Sequence, residues 1–204
     1  MRWYRKAADQ GSTAGMYNVG SLYEHGLGVP VDYAEAMRWY QRAADDGEEF
    51  AMAAIGNLYR YGEGVAQDYA EAVRWYRKAA DQGYAAAENS LGWMLVNGWG
   101  VPQDYVEAMR WFNKAADQGY AAGQNNIGWL YENGWGVPKD YVEAMRWFEK
   151  AADQGYATAQ TNIGILYLNG WGVARDLNQA RAWWRKAAAG GNDAAKQWLA
   201  QYPG

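Results

Sequence analysis

The sequence predicts an all-α chain: a right-handed α/α superhelix, or solenoid, of antiparallel helical hairpins with a 36-residue repeat. Three observations carry this. Trp3, Trp39, Trp75, Trp111, Trp147 and Trp183 follow one another at a constant step of 36 positions through the 204 residues. Each step holds two stretches with apolar residues at helical spacing. Glycine-rich turns close both stretches in every copy, where a helix needs a residue that accepts a left-handed cap.

The elements follow in order. Residues 1–11 supply only the latter part of a second helix. Five copies come next, at 12–47, 48–83, 84–119, 120–155 and 156–191, and 192–204 forms a C-terminal capping helix. The whole of 1–204 reads as a single solenoid domain, because stacked repeats share one continuous core.

Within the copy 84–119, Ala87, Leu91, Met94 and Leu95 lie on one helix face. Gly98 and Gly100 stop that first helix, and Pro102 favours an extended turn. Asp104 then stands as an N-cap with Glu107 three residues on, the capping-box arrangement. Asp32/Glu35, Asp68/Glu71 and Asp140/Glu143 repeat the pair, and Asp176/Gln179 varies it. Tyr105, Ala108, Trp111, Phe112, Ala115 and Ala116 give the second helix an apolar stripe too broad for one neighbour, and Gly119 ends it. The spacing predicts two antiparallel helices of about 13–15 residues per copy.

Gly20, Gly56, Gly92, Gly128 and Gly164 fall in mid-helix. Each costs about 1 kcal/mol relative to alanine, so their recurrence predicts close helix approach. Tyr23, Tyr59, Tyr131 and Tyr167, with Leu95 in their place once, are expected to fill a core column. The repeating tryptophans are expected to be buried, with Trp111→Ala costing roughly 3–5 kcal/mol.

Composition narrows function. The net charge is −4 with mixed signs, which argues against nucleic acid as the main partner. There is no cysteine, hence no disulfide frame, thiolate nucleophile or cysteine-based metal site. No apolar run reaches the roughly 18 residues of a membrane span. Residues 1–10 are charged and match the repeat, so they do not read as a secretory signal. Compartment is left open between cytoplasm and an exported location reached through a removed leader. His25, the single histidine, reads as a helix-terminal residue near the last carbonyls. Ser12, Ser21 and Ser90 lack a nucleophile turn. The G-x-G-V turns lack a third glycine and a preceding strand, so they are helix–helix turns rather than phosphate cradles. No catalytic residue, cofactor or metal site is expected, and the chain is not expected to be an enzyme.

The unit A-x3-L-G-x2-Y-x2-G-x-G-V-x2-D-Y-x2-A-x2-W-Y-x-K-A-A-x-Q-G resembles the Sel-one-like repeat, a relative of the tetratricopeptide repeat. Residues 159–191 and their four predecessors all fit it. The resemblance implies right-handed stacking of hairpins and adaptor or scaffold roles in protein complexes, common in bacteria. One branch of that family carries a disulfide in each repeat and is linked to β-lactam binding; without cysteine, that activity does not carry over. The likeness between copies also fits recent duplication or an engineered array.

By analogy with tetratricopeptide stacks, the first helices line a concave groove. Positions flanking the Leu-Gly site are Tyr17 and Ser21, Ala53 and Asn57, Asn89 and Trp93, Asn125 and Trp129, Thr161 and Ile165. One turn further stand Glu24, Arg60, Val96, Glu132 and Leu168. The candidate partner-binding set is Tyr17, Ser21, Asn57, Arg60, Asn89, Trp93, Asn125, Trp129 and Thr161. Tryptophan is a frequent hot spot, and asparagine both donates to and accepts from a peptide backbone. Trp93 and Trp129 equally suit packing between helices, whereas the asparagines are expected to face the groove. A second candidate surface is the turn row Trp99, Trp135 and Trp171, which either grips a partner, a sugar or another copy or, as favoured, folds back to seal the turn.

The expected function is a non-enzymatic protein–protein interaction scaffold docking a peptide or protein surface in the groove. The alternatives are homo-oligomeric self-assembly through the open N-terminal edge and, third, a small-molecule or carbohydrate binder using the turn tryptophans.

Overall fold

The structure, a computed structural model, describes residues 1–204. Every regular element is helical: α1 Arg2–Asp9, α2 Thr13–His25, α3 Tyr33–Asp45, α4 Glu49–Tyr61, α5 Tyr69–Asp81, α6 Ala85–Asn97, α7 Tyr105–Asp117, α8 Ala121–Asn133, α9 Tyr141–Asp153, α10 Ala157–Asn169, α11 Leu177–Ala189 and α12 Asp193–Gln201. Residues 1–103 and 104–204 form two compact units. In the first, α2 pairs with α3 and α4 with α5, while α1 lies on α2, α3 on α4 and α6 on α5. In the second, α8 pairs with α9 and α10 with α11, while α7 lies on α8, α9 on α10 and α12 on α11. This is the repeated-hairpin, all-α class that the 36-residue step predicts.

The mid-helix glycines hold each hairpin together. A Cβ on Gly56 would lie 2.7 Å from the Tyr76 ring, and one on Gly128 would lie 2.8 Å from the Phe148 ring. Real side chains do not approach that closely, so only glycine lets the two helices meet over an aromatic face. The turn glycines have a different duty. Both glycines of each G-x-G have positive φ, between +66° and +77°. In every copy after the first, the second also lies against the start of the preceding second helix: a Cβ on Gly136 would meet the Tyr105 carbonyl carbon at 2.8 Å.

Three expectations need correction. The tryptophans that mark the repeat are not the core. Trp39, Trp75, Trp111, Trp147 and Trp183 are all half-buried, while the next residue in each copy, Tyr40, Tyr76, Phe112, Phe148 or Trp184, is fully enclosed. Adjacent helical residues point about 100° apart, so only one of each pair can face between the helices. The tryptophan takes the flank. A cation three residues on covers its ring, as with Lys78 over Trp75 at 3.8 Å and Lys150 over Trp147 at 3.7 Å. Its indole N–H finds a carboxylate one turn back, as from Trp39 to Glu35 at 3.0 Å.

The tyrosine column is likewise half-buried at Tyr23, Tyr59, Tyr131 and Tyr167, and only Leu95 in that column is enclosed.

The capping box forms only by half. Asp32, Asp68, Asp104, Asp140 and Asp176 each accept from the backbone N–H three residues on. At Asp32, Asp68, Asp140 and Asp176 the aspartate N–H instead donates across the turn, as from Asp32 to the Tyr23 carbonyl at 3.0 Å and from Asp140 to Tyr131 at 3.0 Å. The glutamates turn outward to Arg38, Arg74 and Arg146. These exposed pairs contribute a few tenths of a kcal/mol.

Candidate binding surface on the first helices

The even-numbered helices present the positions that vary between copies. In the first unit Tyr17 is half-buried on α2, its ring 5.6 Å from Tyr40 and 5.9 Å from Phe50. Ser21 is half-buried one turn on, and its carbonyl lies 2.9 Å from Nδ1 of His25. That contact places His25 at the helix end, with no carboxylate or second histidine joined to it. Asn57 on α4 accepts at 2.7 Å from the Tyr76 hydroxyl. Arg60 stands over Tyr61 at 5.1 Å and over Trp99 at 5.3 Å. Asn89 and Trp93 on α6 are half-buried.

The second unit departs from expectation. Asn125 on α8 and Thr161 on α10 are buried, with 6% and 4% of their surface exposed. Asn125 does not face an open groove, because the neighbouring repeat uses its amide: Asn162 donates to Oδ1 at 3.0 Å, and Nδ2 donates to Asn126 at 3.3 Å. The Thr161 hydroxyl donates to the Ala157 carbonyl at 2.9 Å. Trp129 is half-buried, packs on the core around Phe148 and meets Trp135 edge to face at 4.6 Å. Of the residues one turn on, Val96 and Leu168 are buried and Glu24 and Glu132 are half-buried.

Local electrostatics follow from this packing. Burial, reinforced by Glu24, pushes the Tyr40 phenol far above its ordinary range. Burial raises Tyr76 to about 12, with Arg60 acting in the opposite direction. Glu132 is also raised by burial, against the pull of Lys139.

The turn tryptophans stack on tyrosines of the preceding second helix. Trp99 lies on Tyr69 at 5.4 Å, Trp135 on Tyr105 at 5.1 Å and Trp171 on Tyr141 at 5.0 Å, all nearly parallel. One face of each ring is thereby occupied within the fold, and Trp171 remains the most open at 37%.

Two residues absent from the sequence-derived set belong to this surface. Phe50 is 41% exposed at the start of α4, beside Tyr17, and Glu48 stands at the N-cap position of the same helix, its side chain accepting from Thr13 rather than from the helix backbone. Comparing copies exposes the signal: the column of Phe50 holds Ala14, Ala86, Ala122 and Thr158 elsewhere.

A family model described as the Sel1 repeat matches residues 1–12, 13–48, 50–84, 85–120, 121–156 and 157–192. Among solved structures, c5321, a protective antigen of uropathogenic Escherichia coli strains displaying an SLR fold, superimposes with a TM-score of 0.84 at 39% identity. That match covers 96% of this chain but only 42% of the antigen. A Sel1 repeat protein from Oxalobacter formigenes superimposes with a TM-score of 0.87 at 35% identity, covering 93% of this chain and 76% of that one. Immunity protein Pa5087 of Pseudomonas aeruginosa, at 21% identity, shares the fold, with a TM-score of 0.65 over 91% of this chain and 71% of its own. No curated protein matches the chain. No helix is long and apolar enough to cross a membrane.

Proposed function

The chain belongs to the Sel1 repeat family, a family of non-catalytic scaffolds that bind protein partners, and from that premise we propose that it docks a peptide or protein surface along its first helices. One observation carries the reading. Beneath this surface the contacts are constant, glycine against an enclosed aromatic ring in copy after copy. On the surface itself the residue one place after that glycine takes four identities in five copies: Ser21, Asn57, Trp93 and Trp129, and Ile165. A constant frame with a varied face is the arrangement by which a repeat scaffold encodes one partner. A rigid frame also loses little conformational freedom on binding.

The test places a photo-crosslinking amino acid at Ser21 or Ile165, which are half-buried on first helices, and at the exposed Arg38 on a second helix as control. A partner captured from the first-helix positions and not from Arg38 is the expected result. Equal capture from all three, or capture from Arg38 alone, overturns the reading.

A second reading is association of two copies through α1. It is favoured by Trp3, 78% exposed where its counterparts in later copies are half-buried. Sedimentation of the wild type against Trp3→Ser decides it: a dimer lost in the variant supports association, and a monomer at high concentration excludes it.

A further inference from the structure

Resting on the first-helix reading, we infer that the surface shared by α2 and the start of α4 is a receptor for an arginine side chain of the partner. The guanidinium would lie on the Tyr17 and Phe50 rings, between the carboxylates of Glu24 and Glu48.

The geometry has three parts. The first is aromatic. Tyr17 and Phe50 meet in a tilted pair, 5.9 Å apart at 43°, and Tyr40 backs Tyr17 at 5.6 Å. Phe50 keeps two-fifths of its surface exposed in a column otherwise filled by alanine and threonine. Its ring meets Tyr84 edge to face at 4.8 Å, which holds it in place while that part of its surface stays open.

The second part is charge. Glu24 lies two turns along α2 from Tyr17, and Glu48 precedes Phe50 by two residues. Both carboxylates bear on the Tyr17 phenol, whose pKa is raised by burial first and by these two charges next. No lysine, arginine or histidine forms an ion pair with either one. Elsewhere on the chain, glutamates such as Glu35, Glu71 and Glu143 do take an arginine three residues on.

The third part is preorganisation. The enclosed Tyr40 hydroxyl donates to Glu24, and Thr13 donates to Glu48 at 2.7 Å. Each carboxylate is thus fixed by one neutral hydroxyl while its charge stays uncompensated.

An occupant must be cationic and must offer a flat face to the rings. Guanidinium satisfies both: it stacks on aromatic faces, keeps its charge at all working pH values and forks two N–H donors to a carboxylate. Lysine, a compact and strongly hydrated charge, gains less from the rings.

The experiment titrates the full, isotope-labelled chain with acetyl-Ala-Arg-Ala-amide and follows backbone amide resonances. The control peptide carries citrulline, which keeps the shape and loses the charge. The expected result is shifts centred on residues 13–24 and 48–50, binding at least tenfold weaker for citrulline and intermediate for lysine, and a loss that grows with salt. Glu48→Gln, which keeps an acceptor for Thr13 at the half-buried helix start, and Glu24→Gln/Glu48→Gln should weaken the arginine peptide stepwise while the melting temperature of the single variant stays near wild type. Equal affinity for arginine and citrulline, shifts centred elsewhere, or full binding by Glu48→Gln and Phe50→Ala overturns the inference. The titration needs no natural partner. Its failure alongside successful crosslinking at Ser21 or Ile165 would remove the arginine receptor and leave the scaffold reading intact.

Discussion

The Tyr76 hydroxyl donates to Oδ1 of Asn57 across 2.7 Å, so a buried core ring on α5 reaches the surface chemistry of α4. A second enclosed tyrosine also finds its acceptor on the first helix, but in a different column, that of Glu24 and Arg60. Tyr40 donates to Glu24, whereas Phe148, which has no hydroxyl, faces a copy with Trp129 in the column of Asn57. The enclosed ring carries a polar group only where the first helix supplies an acceptor. Core and surface are therefore not independent choices.

Asn57→Leu removes the acceptor and leaves the Tyr76 proton buried without one. A loss of about 1–3 kcal/mol is expected, and most of it should return in Asn57→Leu/Tyr76→Phe. Urea unfolding of the four members of this cycle measures the coupling; additive losses would show that the two residues act separately.

Phe148→Ala empties a fully enclosed site and should cost about 3–5 kcal/mol. Trp147→Ala removes a larger ring but from a half-buried flank, leaving Lys150 free in solvent. It should cost about 1–2 kcal/mol, within the ordinary range for single substitutions. The order of the two midpoints in a thermal melt is the check. The same argument lowers the expectation for Trp111, which occupies the identical flank.

Gly128→Ala should destabilise, against the helix preference that favours alanine by about 1 kcal/mol. Its new methyl would stand 2.8 Å from the Phe148 ring and force the hairpin apart, an overpacking cost of about 1–3 kcal/mol. A melting temperature above wild type would refute the clasp.

Glu132 is held above its ordinary pKa of 4.5 by burial. Folding therefore favours its protonated form. The associated stability is present below pH 4.5 and is lost as pH rises through the higher folded-state value. Glu132→Gln should melt above wild type at pH 7, with the advantage vanishing below pH 4.5. Paired melts across that window test the sign.

The hairpin fold was legible because its signals are local. A glycine in mid-helix, an aspartate before a helix and a G-x-G turn each have one cheap structural meaning. The surface was less legible because burial there depends on the neighbouring copy. Asn125 looks like a groove residue until Asn162 is placed against it. The tryptophan column looked like the core because size and regularity are easy to see in a sequence, whereas the choice between two adjacent large residues turns on the rotation of the helix. Phe50 is the odd member of an alanine column, but it lies outside the Leu-Gly register that marks the groove positions.

The clasp of Gly56 on Tyr76, like that of Gly128 on Phe148, closes inside a single hairpin. A gene segment encoding one such hairpin is consequently a portable cassette: unequal recombination that adds or deletes a whole copy leaves every clasp intact, whereas a breakpoint between the glycine and its ring severs one. Chain length in such a lineage is free to change in whole hairpins and is resisted in fractions of one.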